Sequence, residues 1–294
     1  MKRLLLSALL ATLLVGCQQV NTTSGGTVGA TRKQSMLLSS EQVDQMAATS
    51  YSDTIKKANQ QGKLLPDNDP TVRRVRVIAD KLIPQTIVFR PDAAKWQWEV
   101  NVEKSPELNA YCMPGGKIMF YTGIIDRLKL TDDEIAQIMG HEIAHALREH
   151  GRERMSSEYG KAIAMQGGMQ LLSIATGGKY DAYQDLAGGG LNALVDVTYS
   201  LPNSRTHESE ADLIGLELAA RAGYNPNAAV SLWQKMAAQG GGSGPEFMST
   251  HPSSNTRIAE LQAKVPVVMP LYEAAKAKPA TSLAPKKSNK TKSK

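Results

Sequence analysis

The chain has 294 residues, 41% of them apolar, with a formal net charge of +6 and a pI near 9.2. That is enough to bury one sizeable core, and it excludes a chain disordered throughout. Seven lysines after Glu273 (Lys276, Lys278, Lys286, Lys287, Lys290, Lys292 and Lys294), with Lys2 and Arg3, outnumber the net excess, so the body between them is acidic and the pI gives no ground for a nucleic-acid partner.

Residues 1–16, MKRLLLSALLATLLVG, combine a basic start, an apolar run from Leu4 to Val15 and a small-residue end. This reads as a secretory signal, too short and wrongly flanked for a lasting membrane span. Leu14-Val15-Gly16-Cys17 resembles a bacterial lipobox. That resemblance implies that Cys17 is diacylated through its thiol and becomes the new N-terminus, and two acyl chains make membrane attachment stable. Gln18 in place of Asp is similar to the sorting signal of outer-membrane lipoproteins, which implies an anchor in the outer membrane with the body facing the periplasm. An ordinary signal peptide with a stray cysteine is the alternative. Residues 17–38, rich in Ser, Thr, Gly and Gln, read as a flexible tether. The folded domain is expected over 39–265, and 266–294 reads as a disordered Lys-rich tail.

A helix is expected from Ser39 or Ser40 to about Gly62, with Val43, Met46, Ala47, Ile55 and Ala58 on one face. The breakers from Leu65 to Pro70 end that stretch, and a second helix runs from Thr71 to Leu82, stopping before Pro84. Beyond Thr86 the period becomes two: Trp96, Trp98, Val100 and Val102 alternate with polar residues as a half-buried strand does. Lys117 to Thr122 reads as a second strand, able to pair with an extended peptide. Cys112, the second of 2 cysteines, is expected to be a small packed residue and not a nucleophile.

Residues 130–151, LTDDEIAQIMGHEIAHALREHG, contain His141, Glu142 and His145 as H-E-x-x-H. Thr131 and Glu134 form a capping box, so a helix starts here. At i and i+4 the two imidazoles stand on one face a turn apart, which suits two nitrogen ligands of one zinc, and Glu142 can take a proton from a water as general base. A metzincin extension would need Gly at 148 and His at 151; the chain has Arg148 and Gly151. The third ligand is expected in the helical stretch 204–222, where Glu208 can reach the metal and Asp212, at i+4, can accept the other ring N–H of a ligand histidine. His150, His207 and Glu210 remain rivals for the third position. Between the motifs, residues 152–203 carry glycine pairs at 167–168 and 177–178 and three glycines at 188–190, which suits either a mobile flap or a loosely packed helix pair. Ala228 to Ala238 and Ser254 to Lys264 read as closing helices, with His251 in the loop between them.

His141-Glu142-Ile143-Ala144-His145, then Glu208-Ser209-Glu210-Ala211-Asp212, with NAYCMPGG at 109–116 ahead of Lys117–Thr122 and His251-Pro252 with Arg257 behind, resembles the HtpX and CAAX prenyl endopeptidase family of gluzincin metallopeptidases over about residues 70–262. The resemblance implies one Zn2+ held by His141, His145 and Glu208, with Glu142 as the base. It implies that Asp212 supports a ligand or donates a proton, and that His251 and Arg257 stabilise the tetrahedral intermediate. The expected fold is α+β, a mostly helical zincin-type domain with one small sheet beside the active-site helix. The expected function is zinc-dependent endopeptidase action on misfolded or damaged envelope proteins. A chaperone-like or binding lipoprotein with a structural or autoinhibited zinc site is the second class, and a metal-dependent amidase acting on cell-wall peptide the third.

Overall fold

The computed structural model describes residues 18–161, 203–239, 246–251 and 255–277. Cys17 and most of the glycine-rich 152–203 stretch lie outside the described residues, as does the tail beyond 277.

Residues 18–38 are tied to the body and do not form a free tether. Strands β1 (Gln18–Val20) and β2 (Gln34–Met36) pair antiparallel, with Gln18 opposite Met36 and Val20 opposite Gln34. Val28, Ala30 and Met36 are buried. The polar residues that suggest a linker are the ones that tie it down: Gln34 Nε2 donates to the Arg148 carbonyl at 2.6 Å, and the Val28 amide to Glu217 Oε2 at 3.0 Å. Composition misses this because the acceptors lie far along the chain.

Helix α1 (Ser40–Gln60) opens on a capping box of Ser39 and Gln42 and buries Val43, Ala47, Tyr51 and Ala58. Helix α2 (Pro70–Leu82) starts at the Asp69 cap with proline in its first turn and buries Val72, Val75, Ile78, Ala79 and Leu82. Two 3-10 segments, Ile83–Val88 and Pro91–Lys95, then delay the expected strand. Strand β3 covers only Glu99–Glu103. Trp98 lies instead over Gly116, where a Cβ would come within 2.6 Å of its ring, and donates from Nε1 to the Ala93 carbonyl at 2.9 Å.

The second sheet has the order β3-β5-β4, with β4 at Ala110–Met113 and β5 at Lys117–Tyr121. Strands β3 and β5 are parallel, β4 and β5 antiparallel, and β4 is an edge. Tyr51 pins α1 to the sheet by donating its hydroxyl to the Ile118 carbonyl at 2.7 Å. After the short α3 (Thr122–Arg127) comes α4 (Asp132–Leu147), begun by the expected Thr131–Glu134 capping box and buried along almost its whole length. Residues 150–161 are helical again (α5). Helix α6 (Arg205–Arg221) crosses α4 backbone to backbone: a Cβ on Gly140 would lie 2.7 Å from the Gly215 carbonyl oxygen, and one on Gly215 would lie 2.6 Å from the His141 nitrogen. Glycine at both positions is what lets the helices approach this closely.

Helices α7 (Ala228–Ala238) and α8 (Glu246–Thr250) precede the last, α9 (Asn255–Ala277). Helix α9 runs well past the expected end near Lys264, so the tail does not begin at 266. Pro266 and Pro270 lie inside it. An interior proline costs about 3 kcal/mol, and Leu261, Val265 and Val268, buried at helical spacing, return roughly 1.5–3 kcal/mol each. The fold is α+β and mostly helical, as expected, but with two small sheets where one was expected. No helix of the described residues is long and apolar enough to cross a membrane.

Candidate active site

The crossing of α4 and α6 decides the site. With Gly140 against Gly215, the face of α4 that carries His141 and His145 meets the first turns of α6, which carry Glu208 and Asp212. His145 Nε2 lies 3.1 Å from His141 Nε2 and 3.3 Å from Glu208 Oε1, and His141 Nε2 lies 3.4 Å from Glu208 Oε2. The expected third ligand is therefore beside the pair. Asp212 Oδ1 lies 3.0 Å from His141 Nδ1 and so accepts the ring N–H that leaves Nε2 free to coordinate.

His251 joins this group more closely than a loop residue with a remote role would. Its Nδ1 is 3.0 Å from Glu208 Oε1 and 3.2 Å from His141 Nε2, and its Nε2 is 3.5 Å from Glu142 Oε1. One donor atom from each of His141, His145, Glu208 and His251 falls within 4.8 Å of the others, and all four residues are buried. Arg257 is placed differently. Its Nε and Nη2 donate to Asp212 at 2.7 Å each, its Nη1 is 2.7 Å from Glu208 Oε2, and its guanidinium lies 3.9 Å from the Trp233 ring centre. Its guanidinium thereby neutralises both carboxylates and holds them beside the histidines. His207, a rival ligand, pairs with Glu153 at 3.1 Å, and Glu210 with Arg148 at 2.9 Å; neither belongs to the metal-binding group. Glu210 is buried.

The electrostatics favour a cation here. Burial opposes charge on His141, yet Asp212 and Glu208 outweigh it and lift its pKa to about 9. Burial also pushes Glu208 up, but His251, His141 and His145 hold it far below the usual carboxylate range. Burial keeps His145 neutral. Two ring nitrogens pointing at each other beside a carboxylate, each ring occupied on its other nitrogen, fit a tetrahedral zinc.

Glu142 lines a cleft of about 410 Å³ together with His145, His251 and the edge strand β4. Its Oε1 has no hydrogen-bond partner among the described residues. Burial raises its pKa, against the pull of His251 and His141, which makes it a stronger proton acceptor than a solvated carboxylate. Cys112 also faces the cleft, but burial and Glu142 push its thiol far up, so it is inert as expected.

Sequence reasoning missed four contributors. Gly140 and Gly215 read as ordinary helix residues, because their close approach has no local signature. His150 was weighed only as a ligand, whereas its Nδ1 lies 2.8 Å from His145 Nδ1. Arg148, fully buried, bonds both Glu210 and the Arg32 carbonyl. The helix ends at Leu147 and Glu149 turns left-handed, at φ +50, which nothing in the local sequence signals.

What the two crossing helices build is a zincin-type metallopeptidase centre for one Zn2+. Residues 71–265 match the family described as Peptidase family M48, and the chain belongs to that family, in agreement with the resemblance drawn from its motifs. Among its relatives is the mitochondrial metalloendopeptidase OMA1 of Schizosaccharomyces pombe, 31% identical over 223 residues; the alignment covers 75% of this chain but only 60% of the relative's length. Metalloprotease LoiP of Escherichia coli is 25% identical over 264 residues, covering 90% of this chain and 96% of LoiP. Metalloprotease YcaL of the same organism is 26% identical over 164 residues, 56% of this chain and 61% of YcaL.

Proposed function

We propose that this chain is a zinc-dependent endopeptidase, anchored to the bacterial outer membrane through lipidated Cys17 and facing the periplasm, which hydrolyses misfolded or damaged envelope proteins. The observation that carries the catalytic part is the convergence of His141, His145 and Glu208 beside a cleft lined by Glu142, whose Oε1 has no hydrogen-bond partner among the described residues. Two of the relatives carry the name metalloprotease, which supports the same reading. The anchor rests on the lipobox alone.

Zinc, when bound, supplies a Lewis acid for the scissile carbonyl and lowers the pKa of a water. An extended substrate lies along the edge strand β4, whose Ala110–Met113 line the cleft, and main-chain pairing holds the peptide without demanding one side-chain sequence. That tolerance suits substrates recognised by their unfolded state. Glu142 takes the proton of the attacking water and hands it to the leaving amine. Asp212 and Arg257 keep His141 and Glu208 oriented.

One observation favours the second class. A catalytic zinc keeps a position open, and four protein donors would close it; His251 is the fourth. Casein cleavage by the full chain, with and without chelator, tests both readings. The Glu142→Gln protein is expected to keep its zinc and lose at least about 100-fold in rate, and undiminished cleavage would remove the mechanism. Faster cleavage by His251→Ala would show a closed resting site. Palmitate labelling and fractionation of Cys17→Ser cells test the anchor.

A further inference from the structure

The two zinc-facing histidines are supported in different ways. His141 has a carboxylate on its outer nitrogen, whereas the atom 2.8 Å from His145 Nδ1 is the Nδ1 of another histidine, His150. Only one of two facing ring nitrogens can carry the proton between them. His145 turns Nε2 toward His141 and Glu208, so that nitrogen keeps its lone pair for the ion and the proton sits on Nδ1. His150 Nδ1 must then accept. Its own proton is left on Nε2, which lies 3.0 Å from Glu210 Oε2, an acceptor. Each donor in this row meets an acceptor, with no atom left over.

The remainder of the fold holds that order in place. Glu210 cannot swing toward water, because Arg148 Nη2 binds it at 2.9 Å and Arg32 Nε at 3.0 Å. The His150 ring is stacked on His207 at 4.3 Å and 12°, and His207 is tied to Glu153 at 3.1 Å. The left-handed turn at Glu149 is what aims His150. Five residues on along an unbroken helix, its ring would point some 140° away from that of His145; the break at φ +50 brings it back. Glu149 adopts that conformation with its carboxylate bonded to Arg90, Arg152 and Ser40.

We propose that His150 is a positioning residue for the zinc site, accepting the Nδ1–H of His145 and donating to Glu210 so that His145 presents Nε2 to the metal in one tautomer and one ring orientation. The Glu-Ser-Glu-Ala-Asp stretch then serves three ends: Glu208 for the metal, Asp212 for His141, and Glu210, through His150, for His145. The proposal rests on His141, His145 and Glu208 being the zinc ligands.

The test uses the full chain and reads zinc affinity by competition with a chromophoric chelator, together with the visible spectrum of the cobalt(II)-loaded protein. His150→Ala is expected to weaken zinc roughly 10–100-fold and to shift the cobalt bands. His150→Gln, whose amide can both accept and donate, is expected to recover most of the affinity and the wild-type spectrum. Zinc binding by His150→Ala within twofold of wild type with an unchanged spectrum overturns the proposal, as does a Gln variant no better than Ala. If His150→Ala does not fold, the Gln variant decides: near-wild-type affinity supports the proposal, and a tenfold loss overturns it. Wild-type zinc affinity in His145→Ala would overturn the ligand assignment itself, an outcome distinct from failure of the relay.

Discussion

Adding one methyl group at Gly215 tests how the site is assembled without touching any group that does chemistry. A Cβ there lies 2.6 Å from the His141 nitrogen and 2.8 Å from both His141 Cα and Gly140 C. All three atoms are backbone, so no rotamer change relieves the clash, and reaching an ordinary contact of about 3.5–4.0 Å requires α4 and α6 to part by roughly 1 Å. Overpacking of this kind costs up to about 3 kcal/mol, and the better helix propensity of alanine returns about 1 kcal/mol, leaving a net loss of about 2 kcal/mol. The parting also carries Glu208 and Asp212 away from His141 and His145. Ligand distances tolerate only about 0.2 Å, so zinc affinity is expected to fall at least about tenfold. Urea unfolding of the metal-free protein reads the first effect and chelator competition the second. Gly160→Ala is the control, because among the described residues its Cβ would meet only the end of the Leu37 side chain, at 3.0 Å. A Gly215→Ala protein with wild-type stability and zinc affinity within twofold would refute the account of the crossing.

Asp44 is half-buried near Glu149, and burial first, then that neighbouring charge, raises its pKa to about 6. The folded protein therefore holds this proton more tightly than the unfolded chain does, so stability is lost as pH rises from about 4 to 6 and stays low above that. Asp44→Asn is therefore expected to stabilise the protein more at pH 7.5 than at pH 5; an equal gain at both values in urea unfolding would refute the assignment. Arg32 ties the N-terminal strands to the body through Glu153 at 2.6 Å and Glu210 at 3.0 Å. Arg32→Ala leaves the buried Glu210 and the part-buried Glu153 each short of a cation, and is expected to cost about 2–3 kcal/mol and to speed amide exchange across Gln34–Met36. Unchanged exchange there would mean that the strands are held by other contacts.

What could be read from the chain alone was whatever depends on near neighbours. The capping box at Thr131, the starts of α1 and α4 and the facing of His141 and His145 follow from near neighbours, because a helix places i and i+4 together wherever it sits. Glu208 and Asp212 were within reach of the same reasoning as a pair on one face, though spacing left His150, His207 and Glu210 as rivals for the third ligand. The failures share a cause. Residues 18–38 have the composition of a linker, and their order comes from Arg148, Glu153 and Glu217 far along the chain. Helix α9 passes two prolines because distant helices bury its apolar face. Trp96 and Trp98 alternate like strand residues, but the 3-10 turn from Pro91 to Lys95 turns them aside.

The sequence by itself determined which side chains are chemically competent and which of them share a helix face, since local periodicity and capping need no partner. Only the tertiary structure decided that α4 and α6 cross at Gly140 and Gly215, that His251 enters the metal-binding group while Arg257 is spent on carboxylates, and that His150 turns back onto His145. Those outcomes depend on close approach between segments far apart in the chain, and the energy that settles them lies in contacts no single segment contains.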